Sequence, residues 1–135
     1  MLVYVIAYFG AAVAFCALDF LWLTVVAKNF YQSHIGSLML AEPKLLPAAA
    51  FYIIYVFGLL VFAIVPALRA QNWFIAAGLA GLLGLIAYSC YDLSNFATLN
   101  GWSLSLTLVD ITWGIFASAV AGTAGYFAAR FYTNL

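Results

Sequence analysis

Three aspartates lie inside long apolar stretches: Asp19, Asp92 and Asp110. A carboxyl at the centre of a membrane helix costs about 2.5–3.5 kcal/mol on insertion scales, so it marks a site for a proton, a cation or a polar ligand. Each acid has a polar or aromatic neighbour three residues on: Asp19 with Trp22, Asp92 with Asn95, Asp110 with Trp113. Residues three apart share a helix face, so each pair is expected to point the same way. Tyr88, Ser89, Tyr91, Ser94, Thr98, Thr107 and Thr112 add hydroxyls nearby, only some of which can face inwards. The alternative is structural: Asp, Tyr, Asn and Thr bonding across helices to set their register, at about 0.6–2 kcal/mol a bond. Three carboxyls in one place exceed what register needs, which favours a site.

The setting follows from composition. Of 135 residues, 69% are hydrophobic and 6% charged, with four basic and four acidic side chains and no net charge. A soluble domain carries roughly a quarter of its residues as charges. Eight charges cannot clothe a water-facing surface, and no basic patch exists to bind nucleic acid. The chain therefore reads as an integral membrane protein, with the lipid bilayer as its first partner.

A spanning helix needs about 20 apolar residues. Four runs qualify, at about residues 3–27, 46–68, 73–99 and 104–131, in one transmembrane domain covering 1–135. None alternates in polarity, which excludes barrel strands. The expected fold is all-α, an integral membrane four-helix bundle with short loops and both termini on one side. Pro47 suits a first helical turn. Pro66, Arg69, Gln71 and Asn72 separate the second and third runs, and Asn100-Gly101 forms a tight turn that tolerates positive φ. The first run lacks a basic leader and contains Asp19 and Trp22, so it is expected to be a retained helix. Basic residues are equal on the two faces (Lys28 and Lys44 against Arg69 and Arg130), so the positive-inside rule does not orient the bundle; a cytoplasmic placement of the termini is the working assumption.

Depth then brings the acids together. Helices one and three run in one direction and four returns, so all three acids sit towards the face bearing the long loop. At about 1.5 Å per residue each lies roughly 9–12 Å below that face. Tyr52 and Tyr55 of the second helix fall at matching depth. The expected arrangement is a polar half under the long loop and a dry half near the termini. Trp22 and Trp113 would wall the polar pocket and suit an organic cation or lipid amine, while Trp73 and Trp102 anchor helix ends in the interface.

Other chemistry is thinly supported. Carboxylates, phenols and amides suit Mg²⁺, Mn²⁺ or Ca²⁺; a single histidine, His34, excludes bis-His haem and multi-His iron and reads as a solvated loop residue more than a proton carrier or ligand. Glu42 precedes the second helix, near its positive end. Cys16 and Cys90 read as small fillers rather than a disulfide. No phosphate loop or catalytic triad motif appears, and no cofactor is indicated. Small residues recur at helical spacing, Ala117, Ala121, Gly125 and Ala129 in the last helix and Gly78, Gly81 and Gly84 in the third. These suit close packing within one bundle more than a dimer interface. The windows Ala14-Phe15-Cys16-Ala17-Leu18-Asp19 and Ala87-Tyr88-Ser89-Cys90-Tyr91-Asp92 match at their Ala, aromatic and Asp positions, a trace of hairpin duplication.

Three windows also resemble a bacterial family: Ala17-Leu18-Asp19-Phe20-Leu21-Trp22-Leu23, Tyr91-Asp92-Leu93-Ser94-Asn95-Phe96-Ala97-Thr98-Leu99 and Thr107-Leu108-Val109-Asp110-Ile111-Thr112-Trp113-Gly114. With Phe30-Tyr31 they are similar to the domain of unknown function numbered 2177, short predicted inner-membrane proteins. The resemblance implies four helices and a bacterial inner-membrane location, and brings no activity with it. The functional expectation is therefore a polar pocket at Asp19, Asp92, Asp110, Asn95, Trp22, Trp113, Tyr52 and Tyr55, binding or transporting a proton, a cation or a small amphipathic ligand. The rivals are a membrane enzyme acting on lipid, and an accessory subunit packed against a second copy or a larger membrane partner.

Overall fold

The computed structural model describes residues 1–26, 33, 36 and 44–134, with the backbone alone at Val26. Expectations for the end of the first run at Ala27, the long loop, Lys28, Phe30-Tyr31, His34 and Glu42 lie outside the described residues.

Among the described residues, four helices are long and apolar enough to cross a membrane. Helix α1 is Leu2–Leu21, continued by a wider π turn at Trp22–Val26. Helix α2 is the span Leu45–Ala70, α3 is Trp73–Thr98 and α4 is Leu104–Asn134. Hydrocarbon offers no hydrogen bonds, so apolar runs of this length must satisfy their own backbone, which a helix does. In succession the helices pack α1 on α2, α2 on α3, α3 on α4 and α4 on α1. This is an all-α, up-and-down four-helix bundle.

Helix α2 does not end at Pro66. It widens into a π segment at Leu60–Ile64, where Val65 N–H reaches the Leu60 carbonyl, and continues to Ala70. Proline has no N–H to give and its ring crowds the preceding turn. The wider turn accommodates both facts without breaking the span. The chain reverses at Gln71, which takes a left-handed conformation with φ 53°. Asn72 then caps α3, its side chain accepting from Phe74 N–H at 3.0 Å. In the α3–α4 turn, Gly101 alone has positive φ, at 80°, so the turn needs one permissive residue and not two.

Packing is inverted relative to a soluble domain. Large apolar side chains face outwards, Phe20 at 70% exposure and Phe62 at 65%, while Ala7, Ala11, Ala117, Ala121 and Ala129 are fully buried. A Cβ added to Gly125 would lie 2.8 Å from the Ala7 carbonyl and 3.1 Å from Ala11 Cβ. The stripe Ala117, Ala121, Gly125 and Ala129 thus packs inside the bundle, where small residues let backbones touch. Gly81 and Gly84 do the same in α3, but Gly78 meets open space and has no part in it. Cys16 and Cys90 are free and exposed, so they face outwards rather than filling the interior. The outward hydroxyls of Thr24, Thr98 and Thr112 bond back to the carbonyls of Phe20, Ser94 and Leu108, a local solution that needs no partner helix.

Candidate functional site

The acids are buried at one end of the bundle. Asp92 is wholly inaccessible, Asp110 is 8% exposed and Asp19 is 9% exposed. Each reaches this position from a different helix, and α2 contributes Tyr52 and Tyr55. The Tyr52 hydroxyl donates to Asp19 Oδ2. Tyr55 and Ser118 share a hydrogen bond of 2.6 Å. Phe15, Tyr55, Ala117 and Ala121 form the floor, with Tyr52, Tyr88 and Trp113 packed against it.

Asp92 is the unusual member. Both of its oxygens are buried without a hydrogen-bond donor among the described residues, and the group facing it is the carboxyl of Asp110. Two carboxylates cannot bond to one another; a carboxyl and a carboxylate can. Asn95 does not supply the missing donor. It lies beside Tyr91, one face round from Asp92, because the i+3 spacing leaves a side chain free to turn towards either neighbouring turn. The expected Asp92–Asn95 pairing is therefore replaced by the Asp92–Asp110 pairing.

The two tryptophans meet each other. Trp22 and Trp113 stack with centroids 4.4 Å apart and planes 7° from parallel. The Trp113 indole N–H is buried and closes no hydrogen bond, although it lies close to Asp19. Together the rings line a groove of about 470 Å³, with Leu108, Val109, Thr112 and Phe116 completing it. Its lining contains no aspartate, so the acids sit behind the indoles and not in the groove wall. Among the described residues, no three His, Cys, Asp or Glu side chains converge as a metal cage. Asp19 bonds with Tyr52 and Asp92 faces Asp110, while Asp110 also lies near enough to Asp19 to act on its charge.

Trp102, expected as an interface anchor at a helix end, is tied into the bundle. It is buried, its N–H donates to Thr107 Oγ1 at 3.1 Å, and its ring meets Tyr91 edge-on. Sequence position placed it at a helix end but could not show that the turn folds over α4. The close approach that builds the layer depends on Gly114, where a Cβ would overlap the ring of Tyr88; neither Gly114 nor Ser118 stood out as a site residue in the sequence. Gly114 closes the third Asp window and would have been the better clue.

Tyr52→Phe removes the hydrogen bond that ties Asp19 of α1 to α2. The expected cost is about 1 kcal/mol, read as a modest fall in unfolding temperature in detergent with the fold retained.

Helices with an apolar outer shell and a polar layer held inside define a polytopic integral membrane protein. More particularly, the chain belongs to the family described as "Predicted membrane protein (DUF2177)", whose model matches residues 4–127. That match spans all three aspartates and agrees with the resemblance of their windows. No curated protein matches the chain, and no solved structure does.

Proposed function

We propose that the protein binds and passes protons at its acid layer, in a bacterial inner membrane. The observation that carries this reading is Asp92, wholly buried, with no donor to either oxygen among the described residues and a second carboxyl facing it. Ionising both would set like charges together without compensation. One proton held between them removes that conflict and leaves a group able to release it when the pair is disturbed. Asp19, at the margin of the layer and held by Tyr52, is the group that exchanges protons with the face bearing the long loop.

A second reading is supported by the groove at Trp22 and Trp113. There an amphipathic amine would rest against the indoles and displace the proton from Asp19. A small cation competing for the same carboxyls is the simplest form of that exchange. No observation favours a lipid-directed enzyme or an accessory subunit over these readings.

Proteoliposomes enclosing a pH-sensitive dye test the proposal. Under an imposed potassium diffusion potential, vesicles with the wild-type protein should acidify, and those with Asp110→Asn should match protein-free vesicles. Wild-type vesicles indistinguishable from empty ones, under both a potential and a pH step, would overturn it. Acidification that requires an added lipophilic amine would replace it with the exchange reading.

A further inference from the structure

A second groove lies at the other end of the bundle, between the α2–α3 turn and the last turns of α4. It measures about 580 Å³, and its polar lining is Arg130, Gln71, Asn72 and Asn134, with Trp73 and Phe131 among the apolar residues. Its lining contains no acid, and Asp110 is twenty residues back along α4, about 30 Å away. Arg130 is half-buried, and no Asp or Glu side chain lines the groove with it among the described residues.

The geometry sets this groove at headgroup depth. Helix α4 has 31 residues and is about 46 Å long, against a hydrocarbon core of about 30 Å. Its last turns, with Trp73 beside them, emerge where indoles and arginines meet the polar interface. The guanidinium of α4 and the amides of the α2–α3 turn line the same groove. The Asn72 carboxamide oxygen already accepts from Phe74 N–H, which leaves its NH₂ to donate. The N-terminus of α3 adds a positive dipole end. The left-handed backbone at Gln71 holds the turn in place. A planar guanidinium with amide donors around it matches a phosphate group.

We propose that this groove binds the phosphate of an anionic phospholipid headgroup, with Arg130 as its charged ligand and the aromatic walls receiving the glycerol and upper acyl chains. Native mass spectrometry of the protein in neutral detergent tests this, with phosphatidylglycerol, phosphatidylcholine and inorganic phosphate offered separately. The expected result is selective retention of phosphatidylglycerol. Arg130→Gln should weaken that retention about fivefold or more, since one basic side chain near the surface contributes about 1 kcal/mol. Arg130→Lys should weaken it less, keeping the charge and losing the fork. Arg69→Gln, at the same end but outside the groove lining, should leave it unchanged.

Equal loss in the Arg69 and Arg130 variants would reduce the effect to general surface charge and overturn the site. Equal retention of the two lipids would also overturn it. Inorganic phosphate held with the same dependence on Arg130 would reassign the groove to a soluble ligand. If Arg130→Gln does not fold, the lysine variant decides: binding indistinguishable from wild type sinks the assignment.

Discussion

Asp92→Asn should give a folded bundle that no longer passes protons. Asparagine matches aspartate in size, and its NH₂ can donate permanently to Asp110, where the native pair depends on a shared proton. Stability should stay within about 1 kcal/mol of wild type, the scale of one intramembrane hydrogen bond. Proton flux in vesicles should fall to that of protein-free controls, because the shared proton has been replaced by a fixed amide hydrogen. Asp92→Leu separates the roles further. It leaves Asp110 facing an apolar side chain, so both stability and flux should suffer. An infrared carbonyl band from a protonated carboxyl, present in wild type and lost in Asp92→Asn, would identify the proton directly. If Asn and Leu unfold the protein alike, the layer is structural and the functional reading fails.

The second large effect is steric. A Cβ on Gly84 would overlap the carbonyl oxygen of Gly114 and stand 2.6 Å from Ser118 Oγ and 2.8 Å from its Cβ. One obstacle is backbone and the others belong to a short side chain that already serves Tyr55, so neither can swing aside. Gly84→Leu should therefore prise α3 from α4, at a cost of about 3 kcal/mol or more, the upper range for overpacking. Gly78→Leu, six residues earlier in the same helix, adds its side chain to open space. That variant should unfold within about 0.5 kcal/mol of wild type, the scale of an unconstrained surface change. Thermal unfolding in detergent compares the two, and similar losses would contradict the α3–α4 packing described above.

Depth was legible in the sequence and azimuth was not. The rise per residue is fixed and the chain alternates direction, so the common level of Asp19, Tyr52, Asp92 and Asp110 follows from counting along the runs. Which way a side chain points depends on rotamer and neighbour, and counting cannot supply either. Asn95 turns to Tyr91, Gly78 faces away from the stripe that Gly81 and Gly84 join, and the acids sit behind the tryptophans. Pro66 lies within the second run as counted, and the helix carries on through it because a π segment widens the preceding turn. The floor residue Ser118 carries no mark in sequence, since one serine among alanines reads as a spacer.

The polar contacts have a bearing on how the protein is made. Asp19 finds its hydroxyl on α2, the next helix along the chain. Asp92 faces an acid only eighteen positions further on, across the α3–α4 turn. The Trp102 bond to Thr107 and the Tyr8 bond to the Ile53 carbonyl also stay within one helical pair, whereas the Tyr55–Ser118 bond crosses between pairs. Among the described residues, each hairpin therefore carries a polar neighbour for its own acids, which lowers the cost of holding them in lipid before the hairpins meet. What joins one hairpin to the other is close-fitting alanine and glycine, the Tyr55–Ser118 bond and the approach of Trp113 to Asp19.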